Sequence, residues 1–201
     1  MEKPQIVFVH GGDSFDTIEE FHEALRTWTY NPYKEERKRW RDQIKVSTEV
    51  THDFIFPLMP NKQNADYTAW SIWFDKVVPF LRSDVIFIGH SLGAGFLLRY
   101  LSENVVPVSV KQLHLVAGVI DDIDCPGLGE FGIDIANWKG FSFSINEVHI
   151  WHSTDDEYVP IHHAERLAEK YPEAITHYFT DRGHFLQGEF PELLETISQT
   201  S

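Results

Sequence analysis

The chain contains very little cysteine and no long hydrophobic run. Cys125 is its only cysteine, so no intrachain disulfide can form and a reducing compartment is compatible. No apolar stretch approaches the roughly 20 residues that a membrane-spanning helix needs, and no signal-peptide pattern precedes the first predicted strand. From these absences we expect a cytoplasmic protein.

Basic residues are also scarce, with 17 Lys and Arg against 31 Asp and Glu and a formal net charge of -14. A surface of this sign repels phosphate backbones and anionic lipid headgroups, which argues against nucleic acid and membranes as partners. The 42% hydrophobic content is that of a globular chain. A length of 201 residues is most simply one domain, 1–201. The oligomeric state is not predicted.

Short apolar runs alternate with segments of helical spacing along the whole chain. The strand-like runs lie at 5–9, 54–58, 85–88, 112–116, 147–151 and 175–179. This alternation predicts an α/β fold, a doubly wound and mainly parallel sheet of about six strands with helices on both faces. After the first strand, a helix carrying Phe15 to Leu25 is expected, with Asp13 or Ser14 as its N-cap.

The most informative stretch is 84–95, D-V-I-F-I-G-H-S-L-G-A-G. Its apolar run predicts a central strand buried on both faces, and the five residues 89–93 fit the pattern G-x-S-x-G. A good helix pattern follows, so Ser91 has the strand–turn–helix context of a nucleophile elbow. The competing interpretation is a glycine-rich turn in which Ser91 only caps the helix.

Three other loops with polar residues also follow predicted strands, at 10–12, 155–156 and His184. In open α/β sheets, functional groups gather beyond the carboxyl ends of the strands, so we expect these loops to face the same side as Ser91. A serine nucleophile needs a base and an acid that orients the base. His184 is the best base, and the chain order serine, aspartate, histidine is that of α/β-hydrolases.

An oxyanion hole requires two backbone N–H groups that face the developing negative charge. The sequence predicts one from Leu92, the residue after the nucleophile, and one from the glycine-rich turn after the first strand, most simply Gly12. The loss of one such donor typically reduces the rate by about 10²–10³.

Three motifs together resemble the small single-domain serine hydrolases of the α/β-hydrolase superfamily. They are G-H-S-L-G at 89–93, H-S-T-D-D-E-Y-V-P at 152–160 and R-G-H-F at 182–185. The resemblance implies a compact fold with a minimal cap or none, and it makes Asp156, the second aspartate of the pair, the catalytic acid. Asp155 is the alternative, because the sequence alone does not orient that loop.

The segment 34–45 departs from that resemblance, and a second segment, 121–144, has no clear secondary-structure pattern. The charged segment 34–45 lengthens the connection between the first two strands and predicts a solvated helix with Trp40 and Ile44 facing inward. The segment 121–144 lacks periodicity and is interpreted as either a small lid or a mobile loop. Its aromatic residues either line an acyl pocket or anchor the loop; they are Phe131, Trp138, Phe141 and Phe143.

No cofactor and no metal are expected. The turn at 10–12 lacks G-x-G-x-x-G, so a dinucleotide site is not predicted. His152, His162 and His163 lie close in sequence, but they lack the spacing of metal ligands. Cys125 has no assigned base and is interpreted as a bystander.

The sequence thus predicts a serine hydrolase of the carboxylesterase type with the triad Ser91, Asp156 and His184. Its expected partner is a small-molecule acyl substrate, an ester or else a thioester or amide. Acyl transfer to an acceptor other than water shares the same acyl-enzyme and stays open. The alternative from another class is a protein-interaction module that binds a protein partner on a hydrolase scaffold with a weak or vestigial site.

Overall fold

The computed structural model describes residues 2–33 and 38–199. The predicted helix at 34–45 therefore lies partly outside the described residues. The elements are β1 (Gln5–Val9), α1 (Ile18–Thr27), α2 (Trp40–Thr48), β2 (Asp53–Ile55), α3 (Tyr67–Phe74), β3 (Val85–His90), α4 (Leu92–Glu103), β4 (Val110–Val116), β5 (Ile145–Ser153), α5 (His162–Lys170), β6 (Ile175–Phe179) and α6 (Pro191–Gln199). Among the helices in the two described ranges, none combines the length and apolarity that a bilayer crossing requires.

Six parallel strands form one sheet in the order β2-β1-β3-β4-β5-β6. The predicted doubly wound α/β fold is therefore confirmed. The chain winds outward from β1 to β2 and then crosses back to β3, so the topological switch point lies between β1 and β3. Ligands of open α/β sheets bind in the crevice at such a point, beyond the carboxyl ends of the strands.

The centre of the sheet is buried on both faces, which explains the unbroken apolar run of β3. Val85 and Phe87 pack into the layer formed with α3, α4 and α5. Ile86 and Ile88 pack into the opposite layer, formed with α2 and α6. Helices on both faces are needed because every strand side chain in the sheet centre is removed from water.

Trp40 and Ile44 of α2 face inward as predicted, with 2% and 0% of their surface exposed. Both lie in the core layer that also contains α6. The connection between the first two strands therefore contributes to the core, because α2 covers one face of the sheet.

Helix α1 differs from its prediction at both its start and its packing. Its N-cap is Thr17, in a capping box with Glu20, and not Asp13 or Ser14. The backbone of Asp13 is instead paired with the loop before α3, donating to Lys62 O at 2.9 Å and accepting from Ala65 N at 2.8 Å. Because of this pairing the chain stays extended past β1, and the helix begins only at Ile18. No residue of α1 is buried.

The segment 121–144 contains a single 3₁₀ turn, Gly129–Phe131. Phe131 is buried edge-on against Tyr67 and Trp70, and Trp138 Nε1 donates to Ser102 Oγ at 2.7 Å. These aromatic side chains attach the segment to α3 and α4. A lid function for 121–144 remains a prediction.

Candidate active site

Ser91 lies at the apex of the turn between β3 and α4, with φ 56° and ψ -124°. A non-glycine residue in the left-handed region is strained, and such strain collects at functional sites. The turn is held by hydrogen bonds from Ser91 N to Val116 O at 2.8 Å and from Ala94 N to Ser91 O at 2.9 Å. This is the backbone geometry of a nucleophile elbow.

The two glycines of the motif are required by close backbone packing. A Cβ on Gly93 would collide with the carbonyl oxygens of Val9 and His10. A Cβ on Gly89 would lie 2.6 Å from Ala94 Cα. Helix α4 can therefore approach β1 and β3 closely only because both positions lack side chains, and this approach sets where Ser91 stands.

His184 and Asp156 lie in direct contact. The distance from His184 Nδ1 to Asp156 Oδ2 is 2.8 Å, and the other Asp156 oxygen accepts from the N–H groups of Tyr158 and Val159 at 2.8 and 3.0 Å. Burial by itself raises the pKa of the Asp156 carboxyl, but the hydrogen bond and charge of His184 and the two backbone N–H groups outweigh it. The pKa of Asp156 is held below its ordinary value, so the carboxylate stays ionised beside the imidazole.

The neighbouring Asp155 faces different partners. Its Oδ1 accepts from Ser153 Oγ at 2.5 Å and from Gly183 N at 2.9 Å. Hydrogen bonds from Ser153 and then from Gly183 lower the pKa of this exposed carboxyl. Asp155 thus supports the loop that carries His184 from outside and does not contact the imidazole.

The backbone of the His184 loop is held from within the core. Trp40 Nε1 donates to Phe185 O at 2.8 Å, and His90 Nε2 lies 2.9 Å from His184 O. Burial lowers the pKa of His90 to about 3, so its ring is neutral and Nε2 carries the proton that it donates. Gly183 and Phe185 both have positive φ, a tight turn that these two bonds stabilise.

Sequence reasoning did not find the roles of Trp40 and His90. The contacts join positions 145 and 94 residues apart. The sequence shows a histidine next to the nucleophile and a tryptophan in the lengthened segment, but neither residue type indicates which carbonyl will be its acceptor.

Gly12 and Leu92 both line the cavity beside Ser91. Within residues 2–33 and 38–199, neither backbone N–H donates a hydrogen bond to another protein group, and their role as an oxyanion hole remains a prediction. His10 is occupied in holding the turn, because its Nε2 accepts from Met59 N at 3.0 Å and its Nδ1 lies 2.7 Å from Gly11 O. Burial lowers the pKa of His10, so it is neutral and has no free nitrogen for proton transfer.

Ser91 and His184 line one open cleft of about 1150 Å³. In the described part of the chain, the Ser91 hydroxyl makes no hydrogen bond, so it is unengaged at the cleft surface. Hydrogen bonds between nucleophile and base are often long before substrate binds. Asp156 lies behind His184 and is absent from the cleft wall, as expected for an acid that acts only through the imidazole.

The remaining candidates divide between the wall of the cleft and the core. Cys125 lines the cleft, but burial raises the pKa of its thiol to about 11, so it is not a thiolate nucleophile. The four aromatic residues of 121–144 do not line the cleft and serve to anchor their segment. Among the described residues no group of three His, Cys, Asp or Glu side chains is arranged to hold a metal ion.

This fold, with a strained serine between β3 and α4 and loops gathered at the carboxyl ends of the strands, is that of the α/β-hydrolases. The model of the Serine hydrolase family matches residues 37–192, and the chain belongs to this family. It is also 31% identical to "Serine hydrolase RBBP9" of Rattus norvegicus over 135 residues, which cover 63% of this chain and 68% of that protein.

Solved structures of similar shape agree with this fold. The ydeN gene product of B. subtilis superposes with a TM-score of 0.73 at 18% identity, over 98% of this chain and 97% of that one. A YdeN-like hydrolase from Pectobacterium atrosepticum gives a TM-score of 0.68 at 14% identity, over 98% and 90%. The family match supports a hydrolase function for the chain, and the solved structures show its fold.

Proposed function

We propose that this chain hydrolyses small carboxylic esters through an acyl-enzyme on Ser91, with His184 as general base and acid and Asp156 as its orienting acid. The observation that carries the proposal is the cleft that an unengaged Ser91 hydroxyl shares with His184, whose far nitrogen lies 2.8 Å from the buried Asp156. Thioesters and amides fit the same chemistry.

In the first half of the reaction, Ser91 Oγ attacks the carbonyl carbon and its proton passes to His184 Nε2. The tetrahedral oxyanion accepts hydrogen bonds from the N–H groups of Gly12 and Leu92. The C–O bond to the alcohol then breaks, and the leaving oxygen takes the proton from His184. Asp156 stabilises the imidazolium and holds Nδ1–H in the correct tautomer.

In the second half, a water molecule attacks the acyl-enzyme and gives its proton to His184. The second oxyanion collapses, the acid leaves, and the proton returns to Ser91 Oγ. Free enzyme is thus regenerated with no net change. If an alcohol or amine replaces the water, the same steps transfer the acyl group, and a screen of acceptors separates these two outcomes.

Hydrolysis of 4-nitrophenyl esters of graded chain length tests the proposal. Wild type should give kcat/KM values far above the Ser91→Ala variant, which retains only the modest catalysis of the oxyanion hole and binding. Both proteins should first be shown by circular dichroism to be folded. If folded wild type hydrolyses none of the esters faster than Ser91→Ala, the result would contradict the proposal and favour a protein-binding role.

A further inference from the structure

The wall of the cleft has a charge balance opposite to that of the whole chain. Among the residues that the structure describes, three basic and two acidic residues line it, although the chain as a whole has 17 basic and 31 acidic residues. The basic residues are Arg39, Arg41 and Lys62. In a chain with a net charge of -14, a local excess of cations around the nucleophile indicates an anionic ligand, since clefts of one sign concentrate ligands of the other.

Arg39 reaches the cleft at the start of α2, next to the His184 loop. Trp40 N, which follows it, donates to Gln187 O at 3.2 Å, so this helix end is joined to the loop carrying the general base. The charge of Arg39 contributes, after burial, to the lowered pKa of His90. Within the described ranges the Arg39 guanidinium has no carboxylate partner.

Lys62 lines the same cleft from the loop before α3. Its carbonyl oxygen accepts from Asp13 N at 2.9 Å and lies 2.6 Å from the position a Cβ on Gly12 would occupy. Lys62 is thereby joined to the proposed oxyanion turn through its backbone, while its side chain stays exposed. No acidic side chain of the described chain pairs with its ammonium group.

The other charged residues of the described wall are Arg41, Asp13 and Asp124. Arg41 is already paired with Asp42 at 2.5 Å and lies over the Phe56 ring at 4.3 Å. Asp124 is exposed on the wall, and its carboxylate lies 3.7 Å from His162, a residue that does not line the cleft. Burial raises the pKa of Asp13, which disfavours its ionised form relative to an ordinary aspartate.

We infer that the ester cleaved at Ser91 carries a free carboxylate, which Arg39 and Lys62 of the cleft wall hold. This inference rests on the proposed function and names its substrate class. Arginine offers a carboxylate a two-pronged hydrogen bond, and lysine offers a compact charge. The apolar wall, which includes Phe15, Met59 and Leu128, would contact the carbon chain between the ester and the carboxylate.

Two matched pairs of substrates test this inference and also show on which side of the ester the carboxylate lies. The first pair is monoethyl adipate and its uncharged ω-amide, and the second is O-butyryl glycolate and O-butyryl glycolamide. With hydrolysis followed by NMR, wild type should favour the acid of one pair by roughly tenfold in kcat/KM. The preference should decrease in 0.5 M NaCl, where screening is strong.

Variants identify which cations recognise the carboxylate. The quantity to compare is the ratio of kcat/KM for the carboxylate-bearing ester to kcat/KM for its uncharged partner. Lys62→Met and Arg39→Met should each lower this ratio about three- to tenfold. Lys139→Met removes one exposed positive charge that does not line the cleft and should leave the ratio unchanged. The inference would be overturned if wild type cleaved the uncharged esters as fast as the carboxylate-bearing esters, or if the ratio were unchanged in both variants. The esterase proposal would stand in either case.

A binding measurement separates this inference from the proposed function if folded wild type cleaves none of these esters. NMR titration of wild type with adipate and with adipamide then decides. Tighter binding of adipate, lost in Lys62→Met and Arg39→Met, would support anion recognition although the esterase proposal had failed. Adipamide binding at least as tightly as adipate would overturn the anion inference as well.

Discussion

Two adjacent aspartates illustrate how much one residue position decides in this site. Asp156 contacts His184 Nδ1 at 2.8 Å, whereas Asp155 accepts from Ser153 Oγ and Gly183 N. One carboxylate is positioned to orient the imidazole and the other supports its loop. Sequence reasoning identified the pair from residue types and chain order, and it preferred Asp156 only by family resemblance.

Substituting each aspartate by asparagine should separate these two roles. Asp156→Asn keeps the shape but removes the charge and favours the wrong imidazole tautomer, so kcat should fall by about 10³–10⁴. Asp155→Asn retains an oxygen that can accept from Gly183 N, so its loss should stay below about tenfold. Steady-state kinetics on one neutral ester measures both. A larger loss in Asp155→Asn than in Asp156→Asn would reverse the assignment.

Trp40 is predicted to position the His184 loop through a single hydrogen bond. Trp40→Phe removes the donor to Phe185 O but keeps an aromatic ring in the core. We expect kcat to fall about three- to tenfold, because small misplacements of a catalytic group are costly. The free energy of unfolding should decrease by about 1 kcal/mol, the usual net value of such a bond.

Trp138→Phe provides the matched control. It removes an indole donor at 2.7 Å from Ser102 Oγ, outside the cleft wall. It should lower stability by a similar amount while kcat stays at the wild-type value. Equal effects of the two substitutions on kcat would mean that Trp40 contributes only general stability.

Among the elements, strands β4, β5 and β6 carry a row of histidines on the face covered by α6. His114 and His149 are neighbours in register, with ring centroids 4.7 Å apart, and His149 lies 5.4 Å from His177. Burial lowers the pKa of all three, that of His177 to about 4. Glu147 contacts His149, and Lys111 lies close enough to influence Glu147.

These lowered pKa values predict that the fold loses stability in acid. Between the ordinary histidine value of 6.5 and about 4, the unfolded chain binds more protons than the folded one, so stability decreases as pH falls through this window. Full linkage for His177 at pH 5 would be about 2 kcal/mol, which we halve to about 1 kcal/mol because the ring is only partly buried. Urea unfolding at pH 7 and pH 5 measures the effect.

His177→Gln should therefore reduce the difference in stability between pH 7 and pH 5 by about 1 kcal/mol. The exposed His22 supplies the control, because His22→Gln should leave that difference unchanged. If the two variants and wild type lose stability equally between these pH values, the histidine row does not contribute to acid sensitivity.

The bounds of an element were predictable where burial imposes a hydrophobic pattern on the sequence. They were not predictable where tertiary contacts determine where the element begins or ends. β1 and β6 have the predicted bounds, and β3 follows from an apolar run that must be buried on both faces. The predicted start of α1 was wrong because the backbone of Asp13 pairs with Lys62 and Ala65. The residues around Asp13 in the sequence do not indicate this contact. β2, predicted at 54–58, spans only Asp53–Ile55, because Pro57 has no N–H to donate to a ladder.

At the scale of the whole molecule, alternation of strand and helix patterns was sufficient to predict the parallel six-stranded sheet. The carboxyl ends of parallel strands share one edge, so four loops far apart in sequence could be assigned to one cleft. The strand order and the cations of the cleft were not predictable, because they depend on packing between distant segments. The net charge of -14 does not indicate that basic residues outnumber acidic ones on the described cleft wall.

The central claim is that Ser91 is an activated nucleophile, and labelling with a fluorophosphonate probe tests it most directly. Folded wild type and folded Ser91→Ala should be treated in parallel, and the modified peptide identified by mass spectrometry. The account predicts one label on wild type, located at Ser91, and none on the variant. An unlabelled folded wild type, or equal labelling of both proteins, would contradict it.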